Sequence, residues 1–184
     1  FLTGIAICYI IKKWVGLNKR IEWLLVDICE SFIVIASFVL GWLYQLNNKY
    51  FIGLNDVLSD RLKYIAQTMS TYNIKLWGQY IEEHGNGGSI IAKDNYFFID
   101  NSFVRCMYEY GAIVFVLVIV LIFMAQKKML DNEKYIMCLA FFIVTIASFA
   151  EHHLLEIAYN PFIFSVFACM SNNDKVIMEE KRIC

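Results

Sequence analysis

Asp100, Asn101 and Ser102 stand at the mouth of a long apolar run, and Arg105 and Glu109 follow them at helical spacing. A carboxylate, an amide, a hydroxyl and a guanidinium therefore converge on one end of one helix. A carboxylate in such a set can take a proton and a guanidinium can hold an anion. An Asp or Asn at a helix start also serves simply as a cap. Ionisable groups at membrane depth argue for function, and both readings stay open on sequence alone.

Arg61 is the second candidate. It lies three residues after Leu58 and four before Ile65, bordering an apolar stripe, so its guanidinium is expected on the membrane side of its helix. The planar fork suits a phosphate held through two hydrogen bonds, and an interfacial arginine snorkelling to headgroups fits the same spacing. Glu151-His152-His153-Leu154-Leu155-Glu156 is the third candidate, with His152 and Glu156 placed to share a metal from one helix face. A third ligand is not evident there, so these residues are expected to be polar groups at a turn, with no metal, and Glu151 and His153 can bond the loop above. Gly85, Gly87 and Gly88 follow Glu82-Glu83-His84 with no strand before and no helix pattern after. They are expected to make a turn and not a phosphate loop, with His84 solvated.

What must position these groups is a set of membrane helices. The chain is 59% hydrophobic and 16% aromatic, with a mean hydropathy of +0.54, well above ordinary soluble usage. Apolar runs at 21–46, 103–124, 135–151 and 157–171 predict spans, the last two divided by Glu151–Glu156 and by Asn160-Pro161. In the first of these, Glu22, Asp27 and Glu30 fall toward one end, where they are expected to reach the interface. Residues 1–11 form about half a span, which reads as the end of a helix whose beginning is missing and the chain as an N-terminally truncated piece. The net charge of −1 hides segregated clusters and gives no sign of a nucleic-acid partner. The six cysteines are scattered without a CxxC pair and read as small hydrophobes.

Lysine and arginine fix the orientation. Lys12, Lys13, Lys19 and Arg20, then Lys127, Lys128 and Lys134, then Lys175, Lys181 and Arg182 in a tail at 172–184, mark the cytoplasmic side. The segment 47–102 and the turn at 151–160 fall outside. Within the outer segment, Leu58, Leu62, Ile65, Met69 and Tyr72 predict an amphipathic helix over 55–72, N-capped by Asn55, lying on the outer leaflet or over the spans. The fold class expected is an all-α membrane protein, a multi-span helical bundle with an outer loop containing an amphipathic helix.

Read in order, Leu54-Asn-Asp-Val-Leu-Ser-Asp-Arg-Leu62, Leu76-Trp-Gly-Gln79, Ile99-Asp-Asn-Ser-Phe-Val104, Glu109-Tyr-Gly111, Glu151 and Asn160-Pro-Phe162 resemble the C-terminal half of a bacterial polysaccharide polymerase of the O-antigen and capsule type, over roughly 47–170. The resemblance implies a multi-pass enzyme of the bacterial plasma membrane. It would join oligosaccharide repeat units carried on undecaprenyl pyrophosphate at the outer face, without cofactor, metal or nucleotide sugar, among membrane lipid and other polysaccharide-assembly proteins. It implies a pyrophosphate-holding role for Arg61, assisted by Arg105. Asp100 and Asn101 match a stretch where related ligases often carry His-Asn. The histidine is missing here, which leaves Asp100 as the candidate base, provided that burial beside Phe98 and Phe103 raises its pKa. Asn101, Tyr96 and Trp77 are the candidates for orienting sugars. A flippase-like transporter of lipid or polysaccharide and a non-catalytic membrane partner are the other classes, and a transporter should carry polar groups near the membrane midplane.

Overall fold

A computed structural model describes residues 19–46, 49–84, 96–132 and 134–156 of the 184. The expected spans at 1–11 and 157–171, the tail at 172–184 and the glycines at 85–88 lie outside these residues. The described chain is all-α: α1 (Lys19–Gln45), α2 (Lys49–Val57), α3 (Arg61–Thr71), α4 (Ser102–Arg105), a π-helical turn (Cys106–Tyr110), α5 (Ala112–Asp131) and α6 (Tyr135–Ala147). One isolated antiparallel bridge, His84 to Phe97, is the nearest approach to a sheet among the described residues.

Two of these helices are long and apolar enough to cross a membrane. At 27 residues α1 reaches about 40 Å, and at 20 residues α5 reaches about 30 Å, the thickness of a hydrocarbon core. Each buries a single stripe. On α1 that stripe is Glu30, Ser37 and Gly41, flanked by the partly buried Ile33, Val34 and Phe38. On α5 it is Ile122, Ala125, Gln126 and Met129. The remaining faces expose Ile28, Phe32, Ile35 and Val39 on α1 and Val116, Leu117, Val120 and Leu121 on α5, as lipid-facing surfaces do. At 13 residues α6 is shorter, about 20 Å, and its Cys138 and Phe141 complete the core with Phe103 and Leu154.

Three expectations are corrected here. Glu30 does not reach an interface: it is 1% exposed, enclosed on the stripe that α1 turns toward its neighbours, whereas Asp27 is exposed. The helix expected across 103–124 is broken and displaced, because Gly111 at φ 98° ends the π-helical turn and the straight helix starts only at Ala112, running on to Asp131. The single amphipathic helix over 55–72 is two helices, split by Ser59 and Asp60 at φ 53° and 65°. Asn55 does not begin a helix but sits buried in α2, where its Oδ1 accepts the Lys63 backbone N–H (2.9 Å) and its Nδ2 donates to Asp60 (2.8 Å). It thus caps α3 across the turn, satisfying an N–H that the helix start leaves open.

The apolar stripe of α3 packs over α1. Leu62 and Ile65 are buried, Ile65 lies against Gly41, and Gln45 donates to the Ala66 carbonyl (2.9 Å). A side chain larger than hydrogen at Gly41 would strike Ile65, so this glycine permits the close crossing. Beyond α3, residues 73–79 fold back onto the start of α5. Lys75 and Leu76 offer their carbonyls to the N–H groups of Ala112 and Ile113, and Gln79 N–H bonds the Glu109 carbonyl. Gly78 and Gly111 meet backbone to backbone, both at positive φ, and a Cβ on either would overlap the other strand of chain.

Candidate functional site

The polar residues singled out at the start gather where α5 begins, α6 ends and α3 begins, at the opposite end of α5 from Lys127 and Lys128. Asn101 is the pivot. Its Oδ1 accepts the N–H groups of Phe103 and Val104, both at 3.0 Å, and its Nδ2 donates to the Phe149 carbonyl (2.8 Å). It is 1% exposed, and it caps α4 and ties it to the end of α6. Ser102 completes the tie: its N–H donates to the Ser148 carbonyl, its hydroxyl donates to the Glu151 carbonyl and accepts from Leu154 N–H.

With α4 fixed to the turn after α6, Asp100 and Glu151 are brought to one guanidinium. Arg61, the first residue of α3, places Nη2 3.0 Å from Glu151 Oε1 and Nε 3.7 Å from Asp100 Oδ2. Its guanidinium therefore faces the two carboxylates. The Nε hydrogen is buried and makes no hydrogen bond. Asp100 sits next to the buried Phe98 and Ile99. Burial pushes its carboxyl above the usual range, with Glu151 adding to the rise, while Arg61, His152 and Arg105 oppose it. This is the environment that the sequence required of a carboxylate base.

Arg105 is held differently. Nη2 bonds Glu83 (2.6 Å), Nη1 bonds Glu109 (3.3 Å), Nε bonds the Ile99 carbonyl (3.0 Å), and the guanidinium lies over the Phe98 ring at 4.8 Å. Glu83 also accepts the Ile99 N–H (2.9 Å), clamping the stretch that carries Asp100. Glu83 escaped the sequence reading because it looks like one of two turn glutamates. Its only signal is its place in an outer segment that must close on an arginine.

No family model, curated protein or solved structure matches this chain.

The remaining candidates divide. Tyr96 is half-buried against Tyr64, ring centroids 5.3 Å apart, and burial raises the pKa of both phenols. The Asp100 and Arg61 charges also act on Tyr96, which places it beside the cluster. Trp77 is 84% exposed on the segment that docks on α5, with Leu76 and Tyr80 exposed beside it. His152 and His153 lie in a turn, not on a helix face; His153 Nδ1 hydrogen-bonds Glu156 Oε2 (3.2 Å) and His152 Nε2 lies 3.2 Å from Glu156 Oε1. His152 packs edge-on against Phe98, and burial lowers its pKa. Glu151, His152 and His153 offer ligand atoms within 4.8 Å of one another, but Glu151 is already committed to Arg61. A cleft of about 60 Å³ opens between Ser102, Arg105, Tyr110, His152, Leu155 and Glu156, room for little more than ordered water.

Proposed function

We propose that this chain takes part in polymerising lipid-linked oligosaccharide repeat units at the outer face of a bacterial plasma membrane, as the resemblance to O-antigen and capsule polymerases implies. The observation that carries the reading is the meeting of Arg61 with Asp100, a carboxyl whose pKa burial raises, at the end of α5 away from Lys127 and Lys128. A lysine-poor end is the outer one under the positive-inside rule.

In the reaction, a sugar hydroxyl of the incoming unit attacks the anomeric carbon of the chain held on undecaprenyl pyrophosphate. The new C–O bond forms as the bond from that carbon to the phosphate oxygen breaks. The hydroxyl proton passes to the Asp100 carboxylate, which the raised pKa makes a stronger base. The pyrophosphate departs with the bonding pair, and Arg61 offsets its charge through Nη2, which it must first release from Glu151, and through the unengaged Nε hydrogen. Arg105, with three of its five N–H hydrogens bonded to protein oxygens, contributes chiefly its field. Tyr96 borders the acceptor side, and Trp77 is available as an exposed sugar platform or an interfacial anchor.

A second reading, a flippase-like transporter, is favoured by one observation: a glutamate and a glutamine buried together between the apolar helices. One experiment separates the two. Arg61→Ala is introduced in the native cell, and surface glycans and lipid-linked oligosaccharides are separated by size and by membrane face. The polymerase reading expects long polymer to vanish while single repeat units accumulate on lipid at the outer face with protein level unchanged. Accumulation at the inner face supports the transporter, and an unaltered polymer distribution overturns the role of Arg61.

A further inference from the structure

Glu30 of α1 and Gln126 of α5 are both almost wholly enclosed, at 1% and 0% exposure, inside the contact between the two long apolar helices. Gln126 Nε2 donates to Glu30 Oε1. The other oxygen of each side chain, Glu30 Oε2 and Gln126 Oε1, is buried without any hydrogen-bond partner. Two acceptors and no donor cannot satisfy one another, and an ionised carboxylate left in this condition in an apolar interior is strongly disfavoured.

We propose that Glu30 is a proton-binding site, occupied at neutral pH, whose proton closes a cyclic acid–amide pair with Gln126 across the α1–α5 contact. The proton sits on Oε2 and turns it into a donor. The O–H then bonds Gln126 Oε1 while Gln126 Nε2 bonds Oε1 of the same carboxyl, so one proton satisfies both orphaned atoms. The neighbouring groups leave this as the economical solution. Thr145 of α6 faces the carboxyl, but its hydroxyl donates to the Phe141 carbonyl (3.1 Å). Turning it to Glu30 would relieve one oxygen and leave the amide oxygen unsatisfied. Asp27, one turn earlier on α1, is exposed and adds negative charge. Lys127 of α5 lies over the Trp23 ring at 4.7 Å and acts on Asp27. The helix α6 carries no charged side chain between Tyr135 and Ala147.

Occupancy makes the α1–α5 contact conditional. With the proton, a closed ring joins the helices; without it, a carboxylate and an amide oxygen face each other and the contact opens to water or cations. The pair lies fourteen residues along α5 from Ala112, about 21 Å along the helix axis, and shares no side chain with the Arg61–Asp100 pair.

The test is infrared spectroscopy of the full chain in lipid bilayers, with glutamate side chains carrying ¹³C at the carboxyl carbon to separate them from aspartate. At neutral pH the wild type should show the carbonyl stretch of a protonated glutamic acid, shifting in D2O. Glu30→Gln should abolish that band and leave the Tm unchanged, because an amide in this place supplies the same donor. Gln126→Asn, which withdraws the amide by one methylene, should move the band to the frequency of a weaker hydrogen bond. If the wild type lacks the band, Glu30 is ionised and the proposal is overturned. A band that ignores both substitutions belongs to another glutamate and overturns it equally. The wild-type spectrum needs no variant to fold.

Discussion

Arg61 and Arg105 sit on either side of the Ile99–Ser102 stretch, and the two are held in opposite ways. Arg105 has three oxygen partners at 2.6 to 3.3 Å and an aromatic ring under its guanidinium. Arg61 has one close carboxylate at 3.0 Å, a second at 3.7 Å and an Nε hydrogen with no acceptor. Fixing Arg105 fixes the backbone that presents Asp100, because Glu83 bonds both Arg105 and Ile99 N–H. An arginine with each of its three nitrogens bonded to a protein oxygen is part of the frame. One with donors in reserve, half-open to solvent, can exchange a protein carboxylate for a ligand phosphate at small loss. The pair sets a firmly held arginine against a loosely held one beside the same short stretch, Ile99–Ser102.

The sharpest way to break this contrast is Arg105→Ala. It strands Glu83 and Glu109 together and frees the stretch before α4, and with Arg105 13% and Glu83 19% exposed the loss should be about 3 kcal/mol, the lower edge for a broken buried pair. Denaturant unfolding of the solubilised protein reads it; a loss below about 1 kcal/mol would place Arg105 in the same class as Arg61. Next in size is Gly111→Ala, about 1–3 kcal/mol, since the residue holds φ 98° and its added Cβ would overlap the backbone at Gly78 and Leu76. Protease sensitivity of residues 73–79 should rise with it, because those residues are pinned by the carbonyl bonds to Ala112 and Ile113.

The long apolar helices were legible because apolar runs are one-dimensional signals, and α1 falls within two residues of the expected span. What the sequence concealed are the three-dimensional closures. Gly111 was visible as a glycine, but the need for positive φ there arises only because residues 75–79 dock against it. Asn55 has the composition of an N-cap and caps a helix, though the next one, since Ser59 and Asp60 turn the chain in between. Of the candidate site, Arg61 and Asp100 do come together, while Asn101 is absorbed by capping. Glu151 was expected to bond the loop above and reaches Arg61 itself. Glu30 was misplaced because its helical register relative to Ser37 and Gly41, seven and eleven residues on, carries the burial, and an interface-seeking reading looks only at distance from the helix end.

Arg61→Ala should sharpen the contrast by dissociating stability from function. Its pairs are partly exposed, Arg61 at 27% and Glu151 at 47%, so unfolding should shift by no more than about 1 kcal/mol. Under the proposed function the same substitution should abolish long polymer. Arg61→Lys, which keeps the charge and loses the fork, should restore part of the stability and little of the activity.

The smallest stability effect belongs to Asp100→Asn, and its sign distinguishes a base from a structural anion. Burial raises the folded-state pKa of Asp100 above the unfolded value, Arg61 notwithstanding. The folded chain therefore binds that proton more tightly than the unfolded one between the two pKa values. Its contribution to stability is present in full below the unfolded pKa and is lost as the pH rises through the folded one. At neutral pH the ionised carboxyl is a burden that Asn removes, so Asp100→Asn should be neutral or slightly stabilising there, by a few tenths of a kcal/mol at most. Below the unfolded pKa, where the wild-type carboxyl is already neutral, that gain should disappear. Urea midpoints compared between about pH 3 and pH 7 read the difference. If Asn destabilises the fold at neutral pH, Asp100 anchors Arg61 as a structural ion pair, and both arginines then belong to the frame.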